Sequence, residues 1–195
     1  TVELYTKKDM KVCSLKVFAS ILIINICCSC SDRNMVKRIM GEFIETEVVI
    51  PENLDCIYNK QLSKIRTDTL KPYKFIIYYD TTDCSSCRIS HLTDLKPLYD
   101  MANTSEFTVL TIFSPAIEDV NDVILQLTIT NHFMPIYVDA IGEFRRLNKD
   151  LPSDHRFHSF LLDENNKPIF VGNPLNSTKL SELFAKKINE SVTNH

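Results

Sequence analysis

The pattern of apolar and polar positions predicts strands that alternate with helices. Two dense apolar runs, 73–79 and 107–113, lack a polar face, which is typical of strands buried on both sides of a sheet. The other predicted elements, in chain order, are a strand at 47–50 ended by Pro51, a helix over 54–65, a helix from 85 to 98 with a kink at Pro97, a helix over 116–129, a strand at 135–138, a helix over 141–147, strands at 157–162 and 169–171 joined by a turn, and a closing helix over 180–188.

This order predicts an α/β fold. Strands that alternate with helices usually pair in parallel through right-handed crossovers. The two strands on either side of the turn at 163–167 form a hairpin, which must add an antiparallel edge. We therefore expect a central mixed sheet flanked by helices.

The N-terminal residues follow a different pattern. Lys11 and Lys16 precede an apolar run over 17–26, and the sequence turns polar directly after Cys30. A membrane-spanning helix needs about 20 apolar residues, so the run is too short for a comfortable span. A basic region, a short apolar region and a cysteine after a small residue resemble a bacterial lipoprotein signal.

This resemblance implies a signal peptide at 1–29, lipidation of Cys30 with Cys28 as the fallback acceptor, a tether over 30–44 and a folded domain over 45–195. It places the protein in the cell envelope, lipid-anchored on the periplasmic or cell-surface side of a bacterial membrane. An uncleaved signal anchor or a buried N-terminal helix is the alternative.

Composition excludes two classes of function. The chain of 195 residues has a formal net charge of −3 and no basic run in the folded part, so nucleic-acid binding is not expected. It contains only 3 glycines and neither a Walker nor a dinucleotide fingerprint. No cofactor is expected.

The sequence Cys84-Ser85-Ser86-Cys87 is the main candidate for chemistry. The pair follows a predicted buried strand and opens a helix, whose N-terminus stabilises a thiolate. Cys84 would then be the exposed nucleophile, with Cys87 one turn inside as the resolving thiol. A purely structural disulfide is the simplest alternative. A haem attachment site would need a histidine where Arg88 stands, and a structural zinc site would need a second cysteine pair.

A strand, a Cys-x-x-Cys pair, a helix, a further strand, a late hairpin and a closing helix together resemble the thioredoxin superfamily. The export signal narrows the resemblance to the TlpA-like group of extracytoplasmic thiol-disulfide proteins, and the sequence 159–163 is similar to that group's hairpin motif. The resemblance implies a thioredoxin-like three-layer sandwich. It also implies thiol-disulfide exchange with protein thiols and a membrane-linked electron donor or acceptor.

Two positions depart from the family pattern. Asp83 stands where the family usually has Trp, and a carboxylate there disfavours a thiolate on Cys84. The family's cis-proline before the hairpin corresponds to 156–159, which contains no proline, so Phe157 and His158 are candidate neighbours of the site. Asp80 and Asp83 are interpreted either as turn and N-cap residues or as proton acceptors for the resolving thiol.

The leading interpretation assigns no metal. The alternative function is a non-catalytic or copper- or zinc-binding thioredoxin-like lipoprotein. In that case Cys84, Cys87 and either His91 or His158 would supply the ligands.

Overall fold

The computed structural model describes residues 35–193. The predicted signal peptide at 1–29 and the lipidation site Cys30 lie outside these residues, as does the first part of the predicted tether. Within the tether, residues 35–43 form a helix, α1. The chain divides into two compact units between Glu42 and Phe43, and the fold below is that of the unit that begins at Phe43. In the described part of the chain, no helix is both long enough and apolar enough to span a membrane.

The strands are β1 (Asp55–Tyr58), β2 (Gln61–Lys64), β3 (Tyr73–Tyr79), β4 (Phe107–Phe113), β5 (Ile136–Val138), β6 (Ser159–Leu162) and β7 (Pro168–Val171). The helices after α1 are α2 (Ser85–Ser90), α3 (Lys96–Asn103), α4 (Val120–Ile129), α5 (Glu143–Leu147) and α6 (Thr178–Thr193). Both dense apolar runs are strands with the predicted bounds.

All seven strands form one sheet in the order β2-β1-β5-β4-β3-β6-β7. The pairs β3–β4 and β4–β5 are parallel, whereas β6 pairs antiparallel with both β3 and β7. The sheet is therefore mixed, and the predicted hairpin forms its antiparallel edge. This confirms the predicted α/β class, with a central mixed sheet flanked by helices.

Two predicted elements before β3 are wrong. Residues 54–65 form the β1–β2 hairpin instead of a helix, because Asn59 and Lys60 adopt positive φ angles of 49° and 63° and so close a two-residue turn. Residues 47–50, the predicted strand, have no regular secondary structure and are not part of the sheet. The backbone N–H and C=O of Val49 bond the side chain of Asn148, at 2.8 and 2.9 Å, instead of a neighbouring strand.

The helix that follows the cysteine pair is not continuous. The helix predicted from 85 to 98 breaks after Ser90 into a 3-10 turn over Leu92–Leu95, and α3 then begins at Lys96 with Pro97 in its first turn. The break therefore precedes Pro97, because proline is compatible with the first turn of a helix.

Both faces of the sheet carry aromatic core contacts. On one face, Phe184 of α6 packs edge-on against Phe75 and Phe107. On the other face, Tyr78 lies 4.8 Å from Phe144 of α5, measured between ring centroids. Because successive side chains of a strand point to opposite faces, β3 contributes to both core layers. This packing fixes the position at which β3 ends, and the cysteine pair follows that end.

Candidate redox site

The loop between β3 and α2 is shaped by Asp80. Its carboxylate accepts hydrogen bonds from the backbone N–H of Thr82 at 2.8 Å and from the hydroxyl of the same residue at 2.7 Å. This Asx turn ends the strand and directs the chain into the cysteine pair. The interpretation of Asp80 as a turn residue is confirmed.

Cys84 is the N-cap of α2. Its Sγ accepts a hydrogen bond from the backbone N–H of Cys87 at 3.4 Å. N–H groups at a helix N-terminus have no partner within the helix and carry partial positive charge. The sulfur of Cys84 therefore lies where negative charge on it is stabilised. Asp83, which was also interpreted as a possible N-cap, does not cap the helix.

The two cysteines form a disulfide, with Cα atoms 5.3 Å apart. Both are exposed to solvent. The expectation that Cys87 lies inside is therefore wrong. Helix α2 has only six residues, and its buried residue is Ile89, so the side that carries Cys87 stays open. Both cysteine residues of the disulfide are therefore open to solvent.

Asp83 is placed differently from the sequence expectation. Its side chain is only 5% exposed, and its Oδ1 accepts hydrogen bonds from the Arg88 guanidinium at 2.8 and 3.2 Å. Its Oδ2 lies 3.3 Å from Nδ1 of His155 and accepts the backbone N–H of Asp80 at 3.3 Å. A carboxylate paired in this way is partly neutralised, so its effect on a Cys84 thiolate is weaker than adjacency alone predicts.

The topology now decides the type of fold. A parallel unit of β3, β4 and β5 is extended by the antiparallel strands β6 and β7, and the central strand β3 leads into a Cys-x-x-Cys disulfide at the start of a helix. The fold is thioredoxin-like.

No protein-family model and no curated protein sequence matches the chain. Among solved structures, an uncharacterized thioredoxin-like protein from Porphyromonas gingivalis is 18% identical with a TM-score of 0.44, and the match covers 76% of this chain and 95% of that one. A putative thiol:disulfide interchange protein DsbE from Chlorobium tepidum is 14% identical with a TM-score of 0.48, covering 73% and 98%. A putative protein disulfide isomerase from Bacteroides thetaiotaomicron is 14% identical with a TM-score of 0.46, covering 75% and 92%.

Residues 156–159, where the resemblance predicted a cis-proline, lie beside the loop that carries the disulfide. Tyr78 of β3 donates its backbone N–H to the carbonyl of His158 at 2.9 Å, which aligns the end of β3 with the start of β6. His158 is 2% exposed, and its Nε2 lies 2.8 Å from the carbonyl of Pro152. Phe157 is partly exposed beneath the guanidinium of Arg156. Within residues 35–193, every peptide bond is trans.

Two cavities flank Asp83. One, of about 270 Å³, is lined by Cys84, Ser85 and Ser86 together with residues of the β4–α4 connection and α4. The other, of about 240 Å³, is lined by Arg88, His155 and His158 among others. Asp83 lines both cavities. The candidate site therefore has one cavity on the cysteine side of Asp83 and a second on the histidine side.

Cys56 and His91, the other candidate residues, do not belong to the disulfide site. Cys56 is a free thiol on β1, which is separated from β3 by β5 and β4. Burial raises the pKa of its thiol, a shift that the hydrogen bond from Ser63 only partly offsets. The side chain of His91 is exposed and pairs with Asp94 at 3.1 Å. A metal-binding group of Cys84, Cys87 and His91 is not found among the described residues.

His155, which contacts Asp83 beside the disulfide, is not identified by the sequence analysis. It lies in a 3-10 turn over His155–Phe157, which brings it against Asp83 although 72 positions separate them in the chain. The contact depends on the antiparallel pairing of β3 with β6, which places the end of β3 beside the start of β6. Residues just before position 157 then face those just after position 79.

Proposed function

We propose that the chain exchanges thiols and disulfides with protein substrates through Cys84 and Cys87. One observation carries the proposal: an exposed disulfide caps the helix that directly follows a buried central strand. A bridge across two intervening residues closes a very short loop and stabilises a fold little by chain entropy. The exposure of this disulfide therefore favours a role in thiol-disulfide exchange over a purely structural role.

The exchange proceeds in two steps that conserve atoms and charge. In the reduced protein, the thiolate of Cys84 attacks a substrate disulfide, so that a mixed disulfide forms and one substrate thiolate leaves. The thiolate of Cys87 then attacks the sulfur of Cys84, which releases the second substrate thiolate and closes the Cys84–Cys87 bond. The protein is oxidised by two electrons and the substrate is reduced by two; the reverse sequence oxidises a substrate dithiol.

Reversible redox cycling tests this function. In glutathione buffers of increasing reducing strength, the full chain should pass between disulfide and dithiol forms at one equilibrium potential, because the cysteine pair is a single two-electron couple. Both cysteines are exposed, so glutathione can reach them. The full chain should also accelerate exchange in a disulfide-containing protein substrate. Cys84→Ala should abolish the acceleration, and Cys56→Ala, which changes a thiol on β1, should leave it unchanged. A pair that resists both oxidant and reductant would contradict the proposal.

We further propose that this chemistry takes place outside the cytoplasm on a lipid-anchored protein. The support is the N-terminal sequence, in which a basic region, a short apolar run and Ser29-Cys30 follow one another. On this proposal the electron donor or acceptor is linked to the same membrane, and protein thiols are the substrates.

Lipidation of Cys30 is directly testable. The mature protein should carry acyl mass at Cys30 in mass spectrometry, and inhibiting the lipoprotein signal peptidase with globomycin should accumulate a longer precursor. Cys30→Ala should leave the membrane fraction, whereas Cys13→Ala, a change ahead of the apolar run, should not. A mature form without acyl mass, together with membrane-bound Cys30→Ala, would exclude this anchor.

A further inference from the structure

Three side chains outside the disulfide converge on the histidine side of Asp83. Asp80 follows β3, His155 lies in the turn over His155–Phe157, and His158 directly precedes β6. One nitrogen or oxygen from each lies within 4.8 Å of the others. In the part of the chain that the structure describes, this is the one group of three or more His, Cys, Asp or Glu side chains with such spacing.

His158 is prepared to offer a lone pair. Its Nε2 lies 2.8 Å from the Pro152 carbonyl, and since a carbonyl only accepts, Nε2 carries the proton. Its Nδ1 is then the unprotonated nitrogen. This atom is buried and has no hydrogen-bond partner, and it is the one such side-chain atom within residues 35–193. A buried polar atom without a partner is costly and calls for an explanation.

This arrangement is the usual one for a metal-binding histidine. Such residues donate their second ring N–H to a backbone carbonyl or a carboxylate, which fixes the tautomer and orients the ring. Metal ions bind the neutral form of imidazole, and the hydrogen bond to Pro152 leaves Nδ1 of His158 as the nitrogen with a free lone pair.

Asp80 supplies negative charge. One of its carboxylate oxygens accepts two hydrogen bonds from Thr82, at 2.8 and 2.7 Å, and lies 3.9 Å from Nδ1 of His155. The carboxylate therefore lies beside two imidazoles. Carboxylate oxygen and imidazole nitrogen are both good ligands for Zn²⁺.

His155 completes the group and can move. Its side chain is 47% exposed, its Nδ1 lies 3.9 Å from Oδ1 of Asp80, and its Nε2 lies 3.1 Å from the hydroxyl of Thr82. Ligands of this kind stand about 2.0–2.2 Å from Zn²⁺, so two of them are at most ~4.4 Å apart. A small rotation of the exposed His155 ring would bring its nitrogen within this distance of the other two ligands. His155 and His158 both line the cavity of about 240 Å³, which leaves room for a further ligand.

We propose that Asp80, His155 and His158 form a binding site for a divalent transition-metal cation of the Zn²⁺ class, with a coordination position open to the adjacent cavity. Three protein ligands and one open position are typical of zinc sites that bind an exchangeable water or an external group. The ligand set contains no cysteine. Metal binding therefore does not require reduction of Cys84–Cys87, which separates this proposal from the thiol chemistry proposed above.

Calorimetric titration of the full chain with Zn²⁺ tests the site. Free thiols are first blocked with N-ethylmaleimide while the Cys84–Cys87 disulfide is intact, so that no cysteine can bind the ion. Wild-type protein should bind one equivalent. His155→Ala and Asp80→Asn should each weaken binding by more than ~10-fold. Loss of a residue that only hydrogen-bonds to a metal ligand already costs about that much, so loss of a ligand itself should cost more. Titration with Co²⁺ should give visible absorption bands that the same changes remove.

His91→Ala is the matched control, because His91 is also exposed and also pairs with an aspartate. It should leave Zn²⁺ affinity unchanged. His158→Ala should abolish binding, and its fold is checked by circular dichroism; if that variant fails to fold, His155→Ala decides, since its exposed ring is not part of the core. Wild-type binding no tighter than that of His155→Ala, or a loss of binding in His91→Ala alone, would overturn the proposal.

Discussion

Cys87→Ser should accumulate a covalent mixed disulfide between Cys84 and a protein substrate, whereas Cys84→Ser should accumulate almost none. The reason is the placement of the two sulfurs. Sγ of Cys84 caps α2 and receives the N–H of Cys87, so a thiolate is stabilised on Cys84. Without a thiol at position 87, the attacked substrate cannot be released by the second step.

Both variants should be expressed in the full chain, trapped with acid and alkylating agent, and compared by non-reducing electrophoresis and mass spectrometry. The double change Cys87→Ser with Cys56→Ala should trap the same partners, because Cys56 lies on β1, which β5 and β4 separate from the strand that leads into the disulfide. Equal trapping by the two single variants would mean that solvent exposure alone decides which sulfur attacks. Trapping only in Cys84→Ser would reverse the assigned roles.

Phe184→Ala should reduce the free energy of unfolding by about 3–5 kcal/mol, the usual cost of truncating a buried phenylalanine. Its ring is fully buried and lies 5.2, 5.4 and 5.3 Å from the rings of Phe75, Phe107 and Phe170. Truncation removes three edge-on aromatic contacts at once and leaves a cavity between α6 and the sheet.

Leu183→Ala is the control on the same helix, since Leu183 is 48% exposed and should change stability far less. Urea unfolding followed by circular dichroism measures both effects, with the disulfide kept oxidised. A loss for Phe184→Ala no greater than that for Leu183→Ala would mean that α6 is not docked through this ring.

The extent to which the sequence predicts the fold depends on burial. Strands β3 and β4 are buried on both faces, so their apolar runs are dense and their bounds are predicted correctly. The β1–β2 hairpin is not predicted because β2 is wholly exposed and only Ile57 of β1 is buried. Its turn uses Asn59-Lys60, which lacks the glycine that usually signals such a turn.

Some features of the candidate site are predictable from the sequence and others are not. The cysteine pair is recognisable because its spacing is local. The pairing of Asp83 with Arg88 and His155 is not, because it depends on side-chain directions at the end of α2 and in a distant turn. Asp80 and His158 were both candidates, but their meeting with His155 follows from the β3–β6 register, which a single sequence does not specify.

The shared carboxylate of Asp83 has a thermodynamic consequence. One of its oxygens is held by Arg88 of the disulfide helix and the other faces His155, so a ligand that draws His155 away changes the charge balance next to Cys84. Coupling between two sites is reciprocal. A cation that shifts the thiol–disulfide equilibrium must therefore bind the dithiol and disulfide forms with affinities that differ by the same factor. Oxidation state and cation occupancy then act as linked variables of one domain.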